Sequence, residues 1–256
     1  MIHAEWLGTV PYLEALRLQQ QYVQDIQGIR DQKQSGAAGE ERMKNRLLFL
    51  EHPPVYTVGI RSESYSDIEE RRLVALGAEF VRSERGGLIT FHGPGQLVAY
   101  PILDLTDFQS PATGKRFGAR AYVSAIERVV QRMLMDEFAL PAVTMEKMHG
   151  VWLGTRQTTE QSEADAQEEY RKVAAIGLKI ARHIASHGLA VNCNVDLSWF
   201  EHIVPCGIDG KSVTNLTVET GHNVRSLDIV LPLCRAFALE MNCDVIYERH
   251  LVDVTL

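Results

Sequence analysis

Apolar residues along the chain recur with two periods, and the switches between them mark out the elements. "IHAEWLG" alternates as a first strand. Tyr12, Leu16, Val23 and Ile26 then fall on one helical face, which predicts an amphipathic helix over about 11 to 27. The polar, Gly-containing stretch "GIRDQKQSGAAGEERMKN" reads as a mobile loop. "RLLFLEH" is a buried strand stopped by Pro53 and Pro54, and residues 67 to 76 are helical with Ser66 as their cap. "AEFVRSE", "LITFH" and "QLVAYPILDL" read as strands between glycine turns. The longest helical pattern runs from about 117 to 138, with Tyr122, Ala125, Ile126, Val129, Val130 and Met133 as its apolar face. "GVWLG", "KVAAIGLKIA", "GLAVNCNV" and "CDVIYE" are further strands, and 226 to 241 is a late helix with Pro232 in its first two turns. Residues at about 156 to 170 are acidic and poor in large apolar side chains, so they read as a surface insertion between paired strands. Strands and helices interleave without a regular βαβ period, and no repeat or linker divides the chain. One α+β domain over residues 1–256, a mixed β-sheet flanked by helices, is the expected architecture.

Composition narrows the function. Hydrophobic residues make up 45% and charged residues 23%, the balance of an ordinary globular protein. The net charge of −7 argues against nucleic-acid binding, and no apolar run has the length of a membrane span. The N-terminal residues show neither the basic-then-apolar pattern of a secretory signal nor an Arg/Ser-rich transit segment. Cys193, Cys206, Cys234 and Cys243 form no C-x-x-C pair, so neither a zinc ribbon nor a thioredoxin-type site is indicated.

Three stretches carry candidate chemistry. "RGGLITFHGPGQ" (85–96) has four glycines and can bring backbone N–H groups close to a ligand, although a tight hairpin explains it equally well. It is not G-x-G-x-x-G and opens no helix, so it is a poor dinucleotide site. "RHIASHG" spaces His183 and His187 four apart, but the glutamate of a zinc helix is absent and the segment lies between strands. No metal site is expected, and His187 reads as a core or supporting hydrogen-bonding residue. Cys206 stands between Pro205 and Gly207, which mark a turn, so its thiol is expected at the surface and available for chemistry. Cys193 in an apolar strand, and Cys234 and Cys243 flanking the last helix, read as structural.

"RGGLITFHGPGQLVAYPILDL", "RKVAAIGLKIARHIASHGLAVNCNVDLSWFEHIVPCGI" and "VTNL" together resemble the octanoyl-[acyl carrier protein]:protein transferases of lipoate biosynthesis, with wording similar to the mitochondrial animal members. The resemblance implies the α/β catalytic domain shared by lipoate and biotin protein ligases. It implies that Cys206 accepts an octanoyl group as a thioester and that Lys172 lowers the thiol pKa, with Lys179 as a supporting cation. It places the acyl pocket at Arg85, Gly86, Gly87, Leu88, Ile89, Thr90, Phe91 and His92, at Ala175, Ile176 and Gly177, and at Gly188, Leu189 and Ala190. It implies octanoyl-acyl carrier protein as donor, and lipoyl domains of 2-oxoacid dehydrogenase complexes and the glycine cleavage H protein as acceptors. It further implies a mitochondrial setting and a reaction without a cofactor. The insertion directly before Lys172 departs from the short turn of many relatives.

Two alternatives share these residues. An ATP-dependent lipoate-protein ligase of the same fold needs an adenylate site, and the loop here ends "HGPGQ" without the aspartate-glycine-asparagine continuation expected of that family. A non-catalytic module that binds lipoyl domains or carrier protein has no use for both Cys206 and Lys172.

Overall fold

A computed structural model describes residues 1–35, 44–61, 65–145, 148–156, 168–203 and 212–248. The chain opens with β1 (Ile2–Thr9), α1 (Tyr12–Gln34), β2 (Arg46–Glu51), β3 (Val55–Val58), α2 (Asp67–Val74), β4 (Glu79–Arg82), β5 (Thr90–His92) and β6 (Gln96–Asp104). It continues with α3 (Ala119–Phe138), β7 (Ala142–Met145), β8 (Met148–Arg156), β9 (Glu168–Ala181), β10 (Ile184–Asn192) and α4 (Ser198–Glu201). The last elements are β11 (Ser212–Val213), α5 (Leu216–Thr220), α6 (Val230–Met241), entered through a 3₁₀ turn over Ser226–Ile229, and β12 (Val245–Glu248).

Nine strands form one mixed sheet in the order β12-β1-β2-β6-β10-β9-β8-β7, with β11 pairing β9; β4-β3-β5 form a second, smaller sheet. Alternation along the central strands sorts their side chains onto two faces. Leu47, Phe49, Leu97, Ala99, Leu189 and Val191 pack against the apolar faces of α3 and α6. Leu48, Leu50, Val98, Tyr100 and Ala190 pack on the other face with Ala15 and Ile26 of α1. A third cluster joins the small sheet to α4 through Tyr56, Phe91 and Phe200. The expected face of α3 is buried in full, and Ser66 caps α2 by accepting from the Glu69 N–H.

Some expectations are corrected. α1 continues to Gln34, so residues 28 to 34 are helical and not loop; of the rest of that proposed loop, Ser35, Lys44 and Asn45 are non-helical and 36–43 lie outside the described residues. An exposed glycine at 28 costs a helix only about 1 kcal/mol, which twenty-two other helical residues, several of them packed on the sheet, outweigh. Cys234 sits inside α6, and Cys243 follows it. The short edge strand β7 was not anticipated. The acidic insertion falls on residues 157–167, outside the described residues, although the strands on either side pair as expected, Arg156 opposite Glu168.

Candidate active site

β9 is the axis of the site. Its first half, through Lys172, pairs β8 on one side and β11 on the other; its second half pairs β10. Lys172 is 4% exposed. Its Nζ donates to the His149 carbonyl at 3.2 Å and lies 4.5 Å from the centroid of the Trp152 ring. Burying an ammonium costs several kcal/mol unless it is compensated. Among the described residues the compensation is one carbonyl and one ring face, with no carboxylate. Gly150 gives this side chain room: at φ +125° a Cβ there would stand 2.7 Å from the Ala174 carbonyl and 3.2 Å from Lys172 Cε.

The chain on either side of residues 204–211 is firmly held. Before it, Trp199 stacks on Phe91 at 4.9 Å, Tyr56 donates to the Trp199 carbonyl, and Arg72 donates to the His202 carbonyl. After it, Ser212 and Val213 pair with Arg171 and Lys172, and the Thr214 N–H donates to the Lys172 carbonyl at 2.9 Å. Arg171 clamps Glu219 with two nitrogens, at 3.0 and 2.9 Å, and Thr214 donates to the same carboxylate. Cys206 and its turn lie outside the described residues. Of the other thiols, burial pushes Cys193 and Cys234 up to about 12 and raises Cys243 as well, so all three stay protonated and inert at neutral pH.

Three residues beyond Lys172 a narrow cavity of ≈ 40 Å³ opens between the glycine loop and the sheet. Of the residues assigned to the acyl pocket, Arg85, Gly86, Gly87, Thr90, His92, Ala175, Ile176, Gly177, Gly188, Leu189 and Ala190 line it. Leu88, Ile89 and Phe91 do not. Strand alternation turns Ile89 and Phe91 away from Thr90 and His92 and into the small-sheet cluster, and Leu88 is half-buried outside the cavity. Lys172 is not among the lining residues. Lys179 lies farther along β9, ion-paired with Glu84. The loop is bound to the sheet by the Gly86 N–H on the Leu178 carbonyl at 3.1 Å, and by Arg85, whose guanidinium donates to Thr57 Oγ1 at 2.9 Å and to the Gly86 carbonyl at 3.0 Å.

Tyr12, Val98, Tyr100 and His187 complete the lining. Tyr12, Tyr100 and His187 join a buried ring cluster with His52 and His92. His52 Nδ1 donates to the Val10 carbonyl at 2.6 Å, which leaves Nε2 to accept from the Tyr100 hydroxyl at 2.8 Å. Gln96 Nε2 donates to Phe91 and Asn192, so its oxygen accepts from His92 Nδ1 at 2.7 Å. Burial lowers His52 to about 4 against the pull of the Val10 carbonyl. It also lowers His187 to about 4, with Arg85 and Lys179 adding to the effect. His92 lies well below the ordinary value through burial first and then its neighbours His52 and Arg85. The cluster is therefore neutral. Of these rings His187 and His92 carried a sequence signal, as a supporting residue and as part of the glycine loop; Tyr12 opens α1, His52 follows β2 and Tyr100 lies in β6, with no shared spacing.

His187 holds an unusual conformation. The register of β10 on β6 puts Pro101 opposite it, and proline offers no N–H to the ladder. The ladder is interrupted there, His187 takes φ +55°, and its own N–H donates to Gln19 Oε1 of α1 at 2.8 Å. Strict alternation would point His187 with Ala185 and Leu189 toward α3. The left-handed turn brings it to the α1 face instead, edge-on to Tyr100 at 6.5 Å.

A model of the lipoyl protein ligase A/B catalytic domain matches residues 11–238. Over 250 residues the chain is 42% identical to the octanoyl-[acyl-carrier-protein]:protein N-octanoyltransferase LIPT2, mitochondrial, of Danio rerio, covering 98% of this chain and 96% of that protein. The protein of the same name from Xenopus tropicalis is 46% identical over 234 residues, covering 91% and 84%. A solved chain from a bi-partite lipoate protein ligase and its E2 lipoyl domain, from Thermoplasma acidophilum, shares the fold, with TM-score 0.63 at 14% identity over 98% of this chain and 88% of that one. The chain thus belongs to the lipoyl protein ligase A/B catalytic-domain family and, within it, to the octanoyl-[acyl-carrier-protein]:protein N-octanoyltransferases.

Proposed function

We propose that this chain moves an octanoyl group from acyl carrier protein to a lysine ε-amine on lipoyl domains, by way of a thioester on Cys206. The transferase activity rests on family membership, and so does its mitochondrial setting, which the relatives carry in their names. The observation that carries the route through Cys206 is Lys172. It is a buried cation without a carboxylate partner among the described residues, on the strand that three residues later walls the cavity. β11, which begins six residues after Cys206, pairs beside it. Six residues span at most about 20 Å, and in this reading they carry the thiol to the Lys172 ammonium.

In this reading the acyl chain lies in the cavity with its carbonyl toward Lys172. The ammonium favours the Cys206 thiolate. The thiolate attacks the carbonyl carbon of the donor thioester, the C–S bond to the carrier breaks, and the departing pantetheine sulfur takes a proton from Lys172. The acceptor lysine then enters, neutral Lys172 takes a proton from its amine, and the nitrogen attacks the acyl-Cys206 carbonyl. The new amide C–N bond forms as the C–S bond to Cys206 breaks, and the thiolate–ammonium pair is restored. No step needs a nucleotide, because a thioester is already activated. Arg85 through His92, with Ala175 to Gly177 and Gly188 to Ala190, hold the chain, Leu88, Ile89 and Phe91 acting only by shaping the loop. The acceptors are lipoyl domains of 2-oxoacid dehydrogenases and the glycine cleavage H protein.

The test is mass spectrometry of an isolated lipoyl domain after incubation with each donor. Octanoyl carrier protein modifies it without ATP or magnesium, and free octanoate is inert with or without them. Modification from free octanoate plus ATP would instead mark an ATP-dependent ligase.

A further inference from the structure

A second chamber, of ≈ 280 Å³, lies between α1 and the far ends of β9 and β10. Its walls differ in kind from those of the cavity. Gln19, Gln20, Gln24 and Gln27 of α1 and the Lys179–Glu84 ion pair face it beside the aliphatic Leu16, Val23, Ala181 and Ile184. The cavity, by contrast, is bounded along the sheet by Val98, Ala175, Ile176, Leu189 and Ala190. His187 lines both spaces. Its place is fixed by the left-handed backbone, the Gln19 hydrogen bond and the Tyr100 ring. Two buried polar atoms stand at this partition without a hydrogen-bond partner among the described residues: Gln19 Nε2 and His187 Nδ1. Buried polar groups are costly when unpaired and are normally satisfied. A partition with two such atoms suits a ligand that brings its own polar end.

We propose that the chamber is a subsite for the ω end of acyl chains too long for the cavity, and that His187 and Gln19 set chain length by favouring an ω-hydroxyl over a bare methyl end. The proposal rests on the reading that the cavity holds the acyl chain. A hydrocarbon end pushed past His187 meets a mixed wall, where glutamine amides and an ion pair stand beside Leu16, Val23, Ala181 and Ile184, so its extra methylenes gain less from burial than those in the cavity. An ω-hydroxyl there accepts from Gln19 Nε2 and hydrogen-bonds His187 Nδ1, satisfying both atoms.

The experiment is single-turnover transfer to a lipoyl domain from octanoyl, dodecanoyl and 12-hydroxydodecanoyl carrier protein, with the wild type, Gln19→Leu and His187→Ala. For the wild type, dodecanoyl transfer is about tenfold slower than octanoyl, and the hydroxyl recovers about fivefold of that. Gln19→Leu removes the recovery and speeds the unsubstituted dodecanoyl donor. His187→Ala joins the two spaces and raises the dodecanoyl-to-octanoyl ratio about tenfold. No hydroxyl benefit in the wild type, or a wild-type length profile in Gln19→Leu, overturns the proposal; both comparisons stand even if His187→Ala does not fold. Octanoyl transfer by the wild type is the internal reference. Its absence overturns the function on which the chamber rests, whereas a flat profile with octanoyl transfer intact overturns the chamber alone.

Discussion

Lys172 holds its ammonium 4.5 Å from the centroid of the Trp152 ring while donating to the His149 carbonyl. A structural lysine in such a place would be a poor choice, since a buried cation with so little compensation costs stability. Lys172→Met fills a similar volume without the charge. It is expected to leave the melting temperature unchanged or higher, to lower octanoyl transfer about a hundredfold or more, and to slow iodoacetamide alkylation of Cys206 at neutral pH. Thermal unfolding and alkylation rates check this together; an unchanged alkylation rate removes Lys172 from its role.

Glycine positions divide into those held by packing and those that are free. A Cβ at Gly188 would collide with the Ala99 carbonyl oxygen and stand 2.7 Å from Pro101 Cδ. Gly188→Ala is therefore expected to destabilise by about 2 kcal/mol or more, by prising β10 from β6 beside the cavity. At Gly28, on the exposed side of α1, a Cβ meets nothing within 4 Å. Gly28→Ala is expected to stabilise by roughly 0.5–1 kcal/mol. Chemical denaturation of the two variants gives opposite shifts in midpoint.

Acid should weaken the fold in two windows. His52 and His187 are each lowered from 6.5 to about 4 by burial, so the folded rings stay neutral where the unfolded ones take up protons. Stability is then full above about pH 6.5 and falls as pH drops toward 4, by at most roughly 3 kcal/mol per ring. His187 faces Arg85, Lys179 and Glu84, and His52 faces Tyr12, His92 and Tyr100. Asp104 acts in a lower window. Burial raises it, but its bonds to Arg30, Lys44 and Thr106 outweigh that and hold it below its ordinary value of 3.8. Its contribution is kept above that value and lost only below it. Melting temperatures across pH 7.5 to 3 check the order, and His52→Gln makes the upper window shallower, with His187 and His92 still contributing, while leaving the lower one unchanged.

The sequence patterns show why part of this was legible. The apolar face of α3 is periodic along the helix, and β2 and β6 are continuous apolar runs bounded by turn residues, so they were readable without knowledge of their partners. The boundary at Gly28 was misread because a local breaker cannot be weighed against packing of the whole helix. In "RGGLITFHGPGQ" the segment was evident, but the split between Thr90 and His92 on one side and Ile89 and Phe91 on the other depends on strand direction. Tyr12, His52 and Tyr100 meet only in the fold. The turn of His187 toward α1 falls where the β10–β6 register, continued through its gap, meets a proline eighty-six positions away in sequence.

The most direct test of the central claim is the intact mass of the protein after brief incubation with octanoyl carrier protein alone, followed by peptide mapping under conditions that preserve thioesters. The account predicts one added octanoyl group on the peptide containing Cys206, lost on addition of a lipoyl domain, which gains it. It predicts no adduct in Cys206→Ala, while Cys193→Ala and Cys234→Ala acylate as the wild type does. An octanoyl group mapped to another residue, or a Cys206→Ala protein that modifies the lipoyl domain at the wild-type rate, would contradict it.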